Sequence, residues 1–171
     1  MKYFVNILIF SALIFFKTTS YAQNNLIFSA GASAPELLHL GLHYQIDASR
    51  VGLSYGLLPK DKDANSAYAI ALQCTQYVGR ASGDPEQPKF IKFGYTYVKS
   101  ETEWFTTHYN YINAQFGKEY RLFGPFFLRG EFGLMYEIDK NQIVKKKKPS
   151  KGLNLDFKLL PTLGVSVCYR L

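Results

Sequence analysis

The strongest constraint on the fold of this chain is the strict alternation near its carboxyl end. In residues 152–171, GLNLDFKLLPTLGVSVCYRL, every odd position is apolar or aromatic. The even positions are small or polar, apart from Leu160 and the thiol of Cys168. Successive side chains of a strand point to opposite faces, so a period of two predicts a strand between two different environments. Pro161 predicts a bulge or bend within it.

The same period recurs in seven earlier segments. The clear ones are residues 38–46, 51–57, 68–74, 91–97 and 126–138, and weaker ones are 26–33 and 106–120. The connections between them are polar or rich in Pro and Gly, as turns require. The sequence therefore predicts an all-β, antiparallel up-and-down meander of about eight strands.

The two faces of these strands differ in a way that favours a membrane. One face carries large aliphatic and aromatic side chains, and the other carries Gly, Ala, Ser and a few charges. Lipid outside and a narrow polar lumen inside fit this pattern, so we expect a closed transmembrane β-barrel. Eight strands leave an interior that side chains can fill, which predicts a plugged lumen without an open pore. The alternative from the same pattern is a soluble periplasmic lipocalin-like binding barrel, with its apolar face inward.

The amino terminus has the features of a secretory signal. Lys2 precedes an apolar run over residues 3–16 that is too short for a membrane-spanning helix, and small residues stand at Ser20 and Ala22. We predict a signal peptide over 1–22, cleaved after Ala22 and exported through the Sec pathway, and a barrel domain over 23–171. An amino-terminal anchor or a buried helix is the less favoured alternative. Losing Lys2 and Lys17 lowers the formal charge from +7 to +5, which does not favour nucleic acid as a partner.

Two cysteines in an exported chain suggest a disulfide. Their parity, meaning whether a residue has an odd or an even place in the alternation of its strand, instead puts them on opposite faces of the barrel wall. Cys74 has the outward parity of the fourth strand, and Cys168 has the inward parity of the eighth. We therefore predict two free thiols.

Four charged residues share the inward parity beside one short turn. They are Glu119 and Arg121 on the sixth strand and Arg129 and Glu131 on the seventh. We interpret them as a structural ion network that neutralises buried charge in the lumen. A proton or ion path is the less favoured alternative.

A signal ending in Tyr21-Ala22-Gln23, repeated alternating strands and a final GVSVCYRL resemble the small outer-membrane β-barrel proteins of Gram-negative bacteria, particularly the Bacteroidetes type. The resemblance implies a monomer in the outer membrane with a structural or surface-interaction role and no cofactor. It also implies that the last strand, with Val165, Val167, Tyr169 and Leu171, is read by the barrel-assembly machinery. That strand usually ends in an aromatic residue, and Leu171 departs from this.

An outer-membrane enzyme that modifies lipid, of the lipid A hydrolase or acyltransferase type, is the alternative function. Such chemistry needs a base such as histidine beside a nucleophile. His39 and His43 have inward parity, which favours interior structural roles. His108, in TTHYNY, is the best placed catalytic candidate, but no serine lies beside it in the sequence. We therefore predict that the protein is not an enzyme.

A lysine-rich segment precedes the last strand. It contains Lys145, Lys146, Lys147, Lys148 and Lys151, and strand counting places it on the extracellular side. These cations could contact lipopolysaccharide phosphates or another anionic surface. A solvated loop without a partner is the alternative that the pattern favours.

Overall fold

The structure is a computed structural model, and it describes residues 25–58, 66–78, 88–102, 104–145 and 158–171. The predicted signal peptide over 1–22 lies outside the described residues. The strands are β1 (Leu26–Ser33), β2 (Leu37–Ile46), β3 (Ser49–Leu58), β4 (Ser66–Val78), β5 (Lys89–Glu101), β6 (Phe105–Phe123), β7 (Phe126–Val144) and β8 (Leu159–Arg170). Within this part of the chain there is no helix long and apolar enough to cross a membrane.

The strands form one closed barrel in sequence order. Each pairs antiparallel with the next, and β8 closes the ring by pairing with β1. A path that steps from each residue to its paired residue on the next strand, beginning at Arg121 of β6, passes once round the barrel and returns to β6 at Tyr111. The path therefore ends ten residues nearer the start of β6 than it began. This stagger tilts the strands against the barrel axis. The predicted closed, antiparallel, up-and-down barrel of eight strands is confirmed.

The barrel is apolar outside and polar inside. All eight strands expose large apolar side chains outward, and Leu40 and Leu163 are 69% and 72% exposed. By contrast, Arg50, Lys92 and Gln115 are among the most deeply buried large side chains. Soluble proteins rarely expose apolar patches of more than a few hundred Å², and a lipocalin-like binder needs an apolar interior. This barrel has an apolar exterior and a polar interior, which is the reverse of what a lipocalin-like binder requires.

The two ends of the barrel differ. The terminal end carries the start of β1, the end of β8 and the turns at residues 47–48 and 124–125. In the second of these turns, Gly124 has a φ of +51°, which a residue with a side chain rarely adopts. At the opposite or far end, β6 and β7 run past the other strands, with a register shift at Asn110 and Tyr111. We refer below to the terminal end and the far end.

The last strand lies as its parity predicts. Val165, Val167, Tyr169 and Leu171 all face outward. Cys168 is buried inside, Cys74 is exposed outside, and both thiols are free, which confirms that prediction.

The prediction of a β-bulge at Pro161 is wrong. Pro161 pairs directly with Leu134, and the β7–β8 register has no shift. Pairing of β8 with β1 extends only as far as Gly164, so Pro161 lies where β8 has a neighbour on one side. A proline can stay in a regular strand where no partner needs its missing N–H.

Candidate functional site

A cluster of opposite charges fills the lumen, and we call it the lumen network. It consists of Glu36, Arg50, Lys92, Glu119, Arg129 and Glu131, all of them buried. Three cations thus face three anions within the barrel. Buried charges are tolerated only when they are paired and hydrogen-bonded, so the contacts within the network determine whether this interior is stable.

One part of the lumen network joins Arg50 of β3 to Glu119 of β6 across the barrel. Nη1 of Arg50 donates to Oε1 of Glu119 at 2.8 Å, and Nη2 donates to Oε2 at 3.4 Å. The hydroxyl of Tyr77 donates to the same Oε1 at 2.7 Å. The guanidinium also lies over the rings of Tyr77 and Phe127, at 5.1 and 5.4 Å. Glu119 is therefore the common acceptor that satisfies Arg50 and Tyr77.

The other part centres on Lys92 of β5. Its Nζ donates to Oε1 of Glu131 at 2.6 Å and to Oε1 of Glu36 at 3.4 Å. Nε of Arg129 lies 3.2 Å from Oε2 of Glu131. The Arg129 guanidinium lies 4.0 Å from the ring centre of Phe90. One ammonium group therefore joins two carboxylates from different parts of the chain.

Glu36 reaches the lumen from the turn between β1 and β2. Its Oε2 accepts from Ser33 at 2.6 Å, and its Oε1 accepts from Gln73 at 2.9 Å. The turn lies directly against β3, because a Cβ placed at Gly56 would stand 1.6 Å from the carbonyl oxygen of Glu36. A glycine at position 56 therefore lets the turn pack over the end of the barrel and place the Glu36 carboxylate in the lumen.

Replacing Gly56 with alanine should displace this turn. The new methyl group meets backbone, which cannot rotate away, so we expect the free energy of unfolding to fall by about 1–3 kcal/mol. Gly130→Ala is the matched control, since a Cβ there has no atom within 4 Å. Guanidinium unfolding of both variants in lipid vesicles gives the comparison. Equal stabilities would show that the turn does not pack on Gly56.

The structure brings together three of the four charged residues that parity selects. Glu119, Arg129 and Glu131 lie in the lumen network, whereas Arg121 is exposed at the terminal end. Arg121 has the inward register opposite Phe127, but it is only three residues before the turn at Gly124. The expectation of a lumen position is wrong for Arg121 because the strand there has already reached the barrel rim.

The remaining members of the lumen network were missed by sequence reasoning, for two reasons. Arg50 and Lys92 have the inward parity of β3 and β5, so parity alone could have selected them. Glu36 lies outside any alternating segment, and its position depends on how the turn folds. A sequence pattern of period two carries no signal for such a residue.

Two histidines line the lumen beside the network, as parity predicts. Nε2 of His43 lies 2.8 Å from Oγ of Ser29, and Nδ1 of His39 lies 3.3 Å from Oγ of Ser33. A Cβ at Gly52 would stand 2.0 Å from Nδ1 of His43, so that glycine leaves room for the imidazole. Within the described residues, no group of three or more His, Cys, Asp or Glu side chains could hold a metal ion.

His108 lies at the far end within a group of aromatic side chains. Its Nδ1 is 2.5 Å from the hydroxyl of Tyr97, and the two rings are 5.9 Å apart. The ring of Tyr97 lies against Tyr68, which in turn stacks on Tyr55. The polar side chain that contacts the imidazole is therefore a tyrosine hydroxyl.

Lys145 is the one member of the lysine-rich segment among the described residues. Its Nζ donates to Oε1 of Glu101 at 3.1 Å, and Nζ of Lys99 lies 3.7 Å from the same oxygen. The hydrogen bond from Lys145, with the charges of both lysines, holds the pKa of the exposed Glu101 carboxyl below its usual range. Lys146, Lys147, Lys148 and Lys151 lie outside the described residues.

No protein-family model matches the chain, and no curated protein matches its sequence. Among solved structures, the crystal structure of Neisserial surface protein A (NspA) superposes with a TM-score of 0.50 at 10% identity, covering 85% of this chain and 94% of that one. The barrel is similar in fold to that surface protein. CarO of Acinetobacter baumannii covers 90% of this chain and 100% of its own at 11% identity, with a TM-score of 0.45. At such identities the similarity to NspA establishes the fold alone.

Proposed function

We propose that the mature chain is an outer-membrane β-barrel with a structural or surface-interaction role and no open pore. The observation that carries the proposal is the polarity of the closed barrel, with an apolar exterior on every strand and paired charges inside. Closure satisfies the backbone groups that would each cost several kcal/mol in hydrocarbon. An apolar exterior of this extent is stable in lipid and unstable in water.

The proposed orientation places the terminal end in the periplasm. Bacterial barrels of this type have short periplasmic turns and longer extracellular loops. Two of the three connections at the terminal end, at 47–48 and 124–125, have two residues each, the third spans residues 79–88, and the extension of β6 and β7 lies at the far end. Export by a Sec signal over 1–22 and kinship with the Bacteroidetes type are part of the proposal, and both are supported by the sequence alone.

The contacts of the lumen network support the proposal that the barrel has no open pore. Arg50 reaches across to Glu119, and Lys92 reaches Glu131 on the seventh strand. Because these side chains meet inside the barrel, they occupy the space through which a solute would pass. We expect no steady conductance when the protein is inserted into a planar bilayer.

Cell fractionation combined with gel mobility tests the proposal. The full-length chain, expressed in a Gram-negative host, should be found with the outer membrane. Its unheated form should migrate differently from its boiled form, since a closed barrel resists detergent until heated. Recovery in the soluble periplasmic fraction, with no dependence of mobility on heating, would instead support a soluble binding barrel.

The last strand is proposed to serve as the assembly signal. Val165, Val167, Tyr169 and Leu171 form an outward row that ends at the terminal end, and the N–H of Leu171 donates to the carbonyl of Leu26 at 3.0 Å. Leu171→Phe restores an aromatic ending, so we expect a larger heat-modifiable fraction in cells. Leu122→Phe, an outward leucine near the turn at the same end, is the control and should leave that fraction unchanged. A Leu171→Phe chain that assembles no better than wild type would contradict this role.

A further inference from the structure

The outer surface of the barrel contains an apolar groove. It has a volume of about 1210 Å³ and is lined by residues from the end of β2 to the start of β8. Val51, Cys74 and Ala114 line it toward the terminal end, and Tyr95, Ile112 and Tyr136 line it toward the far end. We call it the outer groove. A convex barrel does not produce a groove of this size unless some of its outward side chains are small.

Small side chains produce the outer groove. Cys74 and Ala114 both pair with Phe93, one on each side, and Ala114 also pairs with Leu134. Two small outward side chains therefore alternate with larger ones along a single row that crosses the strands. The outward side chains beside Cys74 and Ala114 are mainly aliphatic and aromatic, which suits an acyl chain, whereas polar residues such as Asp47 and Gln76 line the groove at its terminal end.

The far end of the outer groove leads to a polar group. The hydroxyl of Tyr95, which lines the groove, donates to Oδ1 of Asn110 at 2.6 Å. The next outward pair toward the far end is Tyr97 of β5 with Asn110 of β6, and the pair after that is Lys99 of β5 with His108 of β6. The surface therefore changes from apolar to aromatic to charged over two steps of the strands.

Two lysines at this end, Lys99 and Lys145, share a single carboxylate, and we call them the rim cations. Both ammonium groups contact the same oxygen of Glu101, at 3.7 and 3.1 Å. Nζ of Lys99 also lies 5.8 Å from the ring centre of Tyr68. Glu101 carries one negative charge against the two positive charges of the rim cations, so an anion placed between the two lysines would be attracted to both. Asp139 lies on the other side, where its Oδ2 accepts from Asn110 at 3.5 Å.

We propose that the outer groove and the rim cations together bind a phosphorylated lipid of the outer leaflet. An acyl chain occupies the groove beside Ala114, and the phosphate lies against Lys99 and Lys145. In the outer leaflet of Gram-negative bacteria this lipid is lipid A. The inference rests on the proposed outer-membrane location and on its orientation, which places the rim cations at the outer leaflet.

The charge requirement can be tested with the full mature chain folded in a neutral detergent. Trp104 is the only tryptophan, and its carbonyl accepts from the N–H of Lys145 at 2.8 Å, so its emission reports on this end of the barrel. Titration with lipid A should shift the emission, and dephosphorylated lipid A should require a higher concentration. The double variant Lys99→Gln, Lys145→Gln should weaken lipid A binding about thirtyfold, given the typical contribution of each lysine near a charged membrane.

Matched variants distinguish the effect of removing the rim cations from the effect of removing any lysine or of unfolding the barrel. Lys118→Gln removes a lysine that lies 5.0 Å over Tyr120 at the terminal end, and it should bind lipid A as wild type does. Lys99→Arg with Lys145→Arg keeps both charges and should retain most of the binding. Equal binding by the double glutamine variant and by wild type overturns the assignment of the rim cations.

A second pair of variants tests whether binding of lipid A requires the outer groove. Ala114→Phe fills the outer groove and should weaken binding of lipid A and of its dephosphorylated form alike. Ala30→Phe adds the same ring on β1, where the outward Ala30 pairs with Leu40 and Val167, and should leave binding unchanged. Bound lipid should also slow the alkylation of Cys74, which lines the groove.

The failure of this inference can be distinguished from failure of the proposed function. If every variant keeps the heat-dependent gel mobility and lipid A binds equally to all of them, the lipid site is wrong and the membrane barrel stands. If wild type fractionates as a soluble protein and shows no such mobility, both proposals are wrong.

Discussion

Replacing Glu119 with alanine is expected to lower the free energy of unfolding by about 3–5 kcal/mol, because it leaves a buried arginine without its partner. Arg50 is fully buried, and Glu119 accepts both of its Nη donors as well as the Tyr77 hydroxyl. The measurement is the guanidinium unfolding midpoint in lipid vesicles. Arg121→Ala, on the same strand but at the exposed rim, should change stability by less than about 0.5 kcal/mol.

A second variant identifies the cause of this loss. In Arg50→Met, Glu119→Met the uncompensated charge is removed, and paired replacement of this kind is often close to neutral. We expect it to recover most of the stability, while the unpaired hydroxyl of Tyr77 keeps a penalty of about 1–3 kcal/mol. If the single variant is as stable as wild type, the lumen is hydrated enough to solvate Arg50, and the interior is not closed.

Replacing Leu72 with arginine is expected to destabilise the barrel in lipid by about 2–4 kcal/mol, the range for a cation near the bilayer midplane. Leu72 is exposed on the outer surface near the middle of β4, between Leu53 and Tyr95. In a protein surrounded by water, the same substitution at an exposed site would have little effect. The measurement is again unfolding in vesicles.

The control for Leu72→Arg is Leu122→Arg. Leu122 is about equally exposed but lies beside the turn at the terminal end, where the penalty should be at most about 1 kcal/mol. The difference between the two variants reports the depth of each site in the bilayer. Equal effects at both positions would mean that Leu72 is not surrounded by hydrocarbon.

Much of the fold could be predicted from the sequence, because each strand separates two environments along most of its length. Parity correctly places Cys74 outside and Cys168 inside, although 94 residues separate them in the chain. The same reasoning fails near strand ends. Arg121 has inward parity and is still exposed, since parity carries no information about where the barrel wall stops.

The candidate sites could be predicted only in part, because they depend on contacts between distant strands. Glu119 finds its partner in Arg50, 69 residues away, and not in Arg129, the neighbour that the hairpin register places opposite it. The outer groove has no sequence signal, because Cys74 and Ala114 become neighbours of Phe93 only once the register is set. Register and stagger are properties of the closed barrel, and the alternation of single strands does not determine them.

Whether the outward apolar surface faces lipid can be tested most directly at a native cysteine. Cys74 is exposed on that surface, and Cys168 is buried, so a nitroxide reagent should label Cys74 alone in the folded protein. After reconstitution into bilayers, collisions of the nitroxide with oxygen, which dissolves in lipid, are compared with collisions with a water-soluble nickel chelate. A nitroxide at Lys145→Cys in a Cys74→Ser background provides the water-exposed reference. If this surface faces lipid, oxygen relaxes the Cys74 nitroxide far more than the nickel chelate does. Nickel accessibility equal to that of the reference would mean that Cys74 faces water.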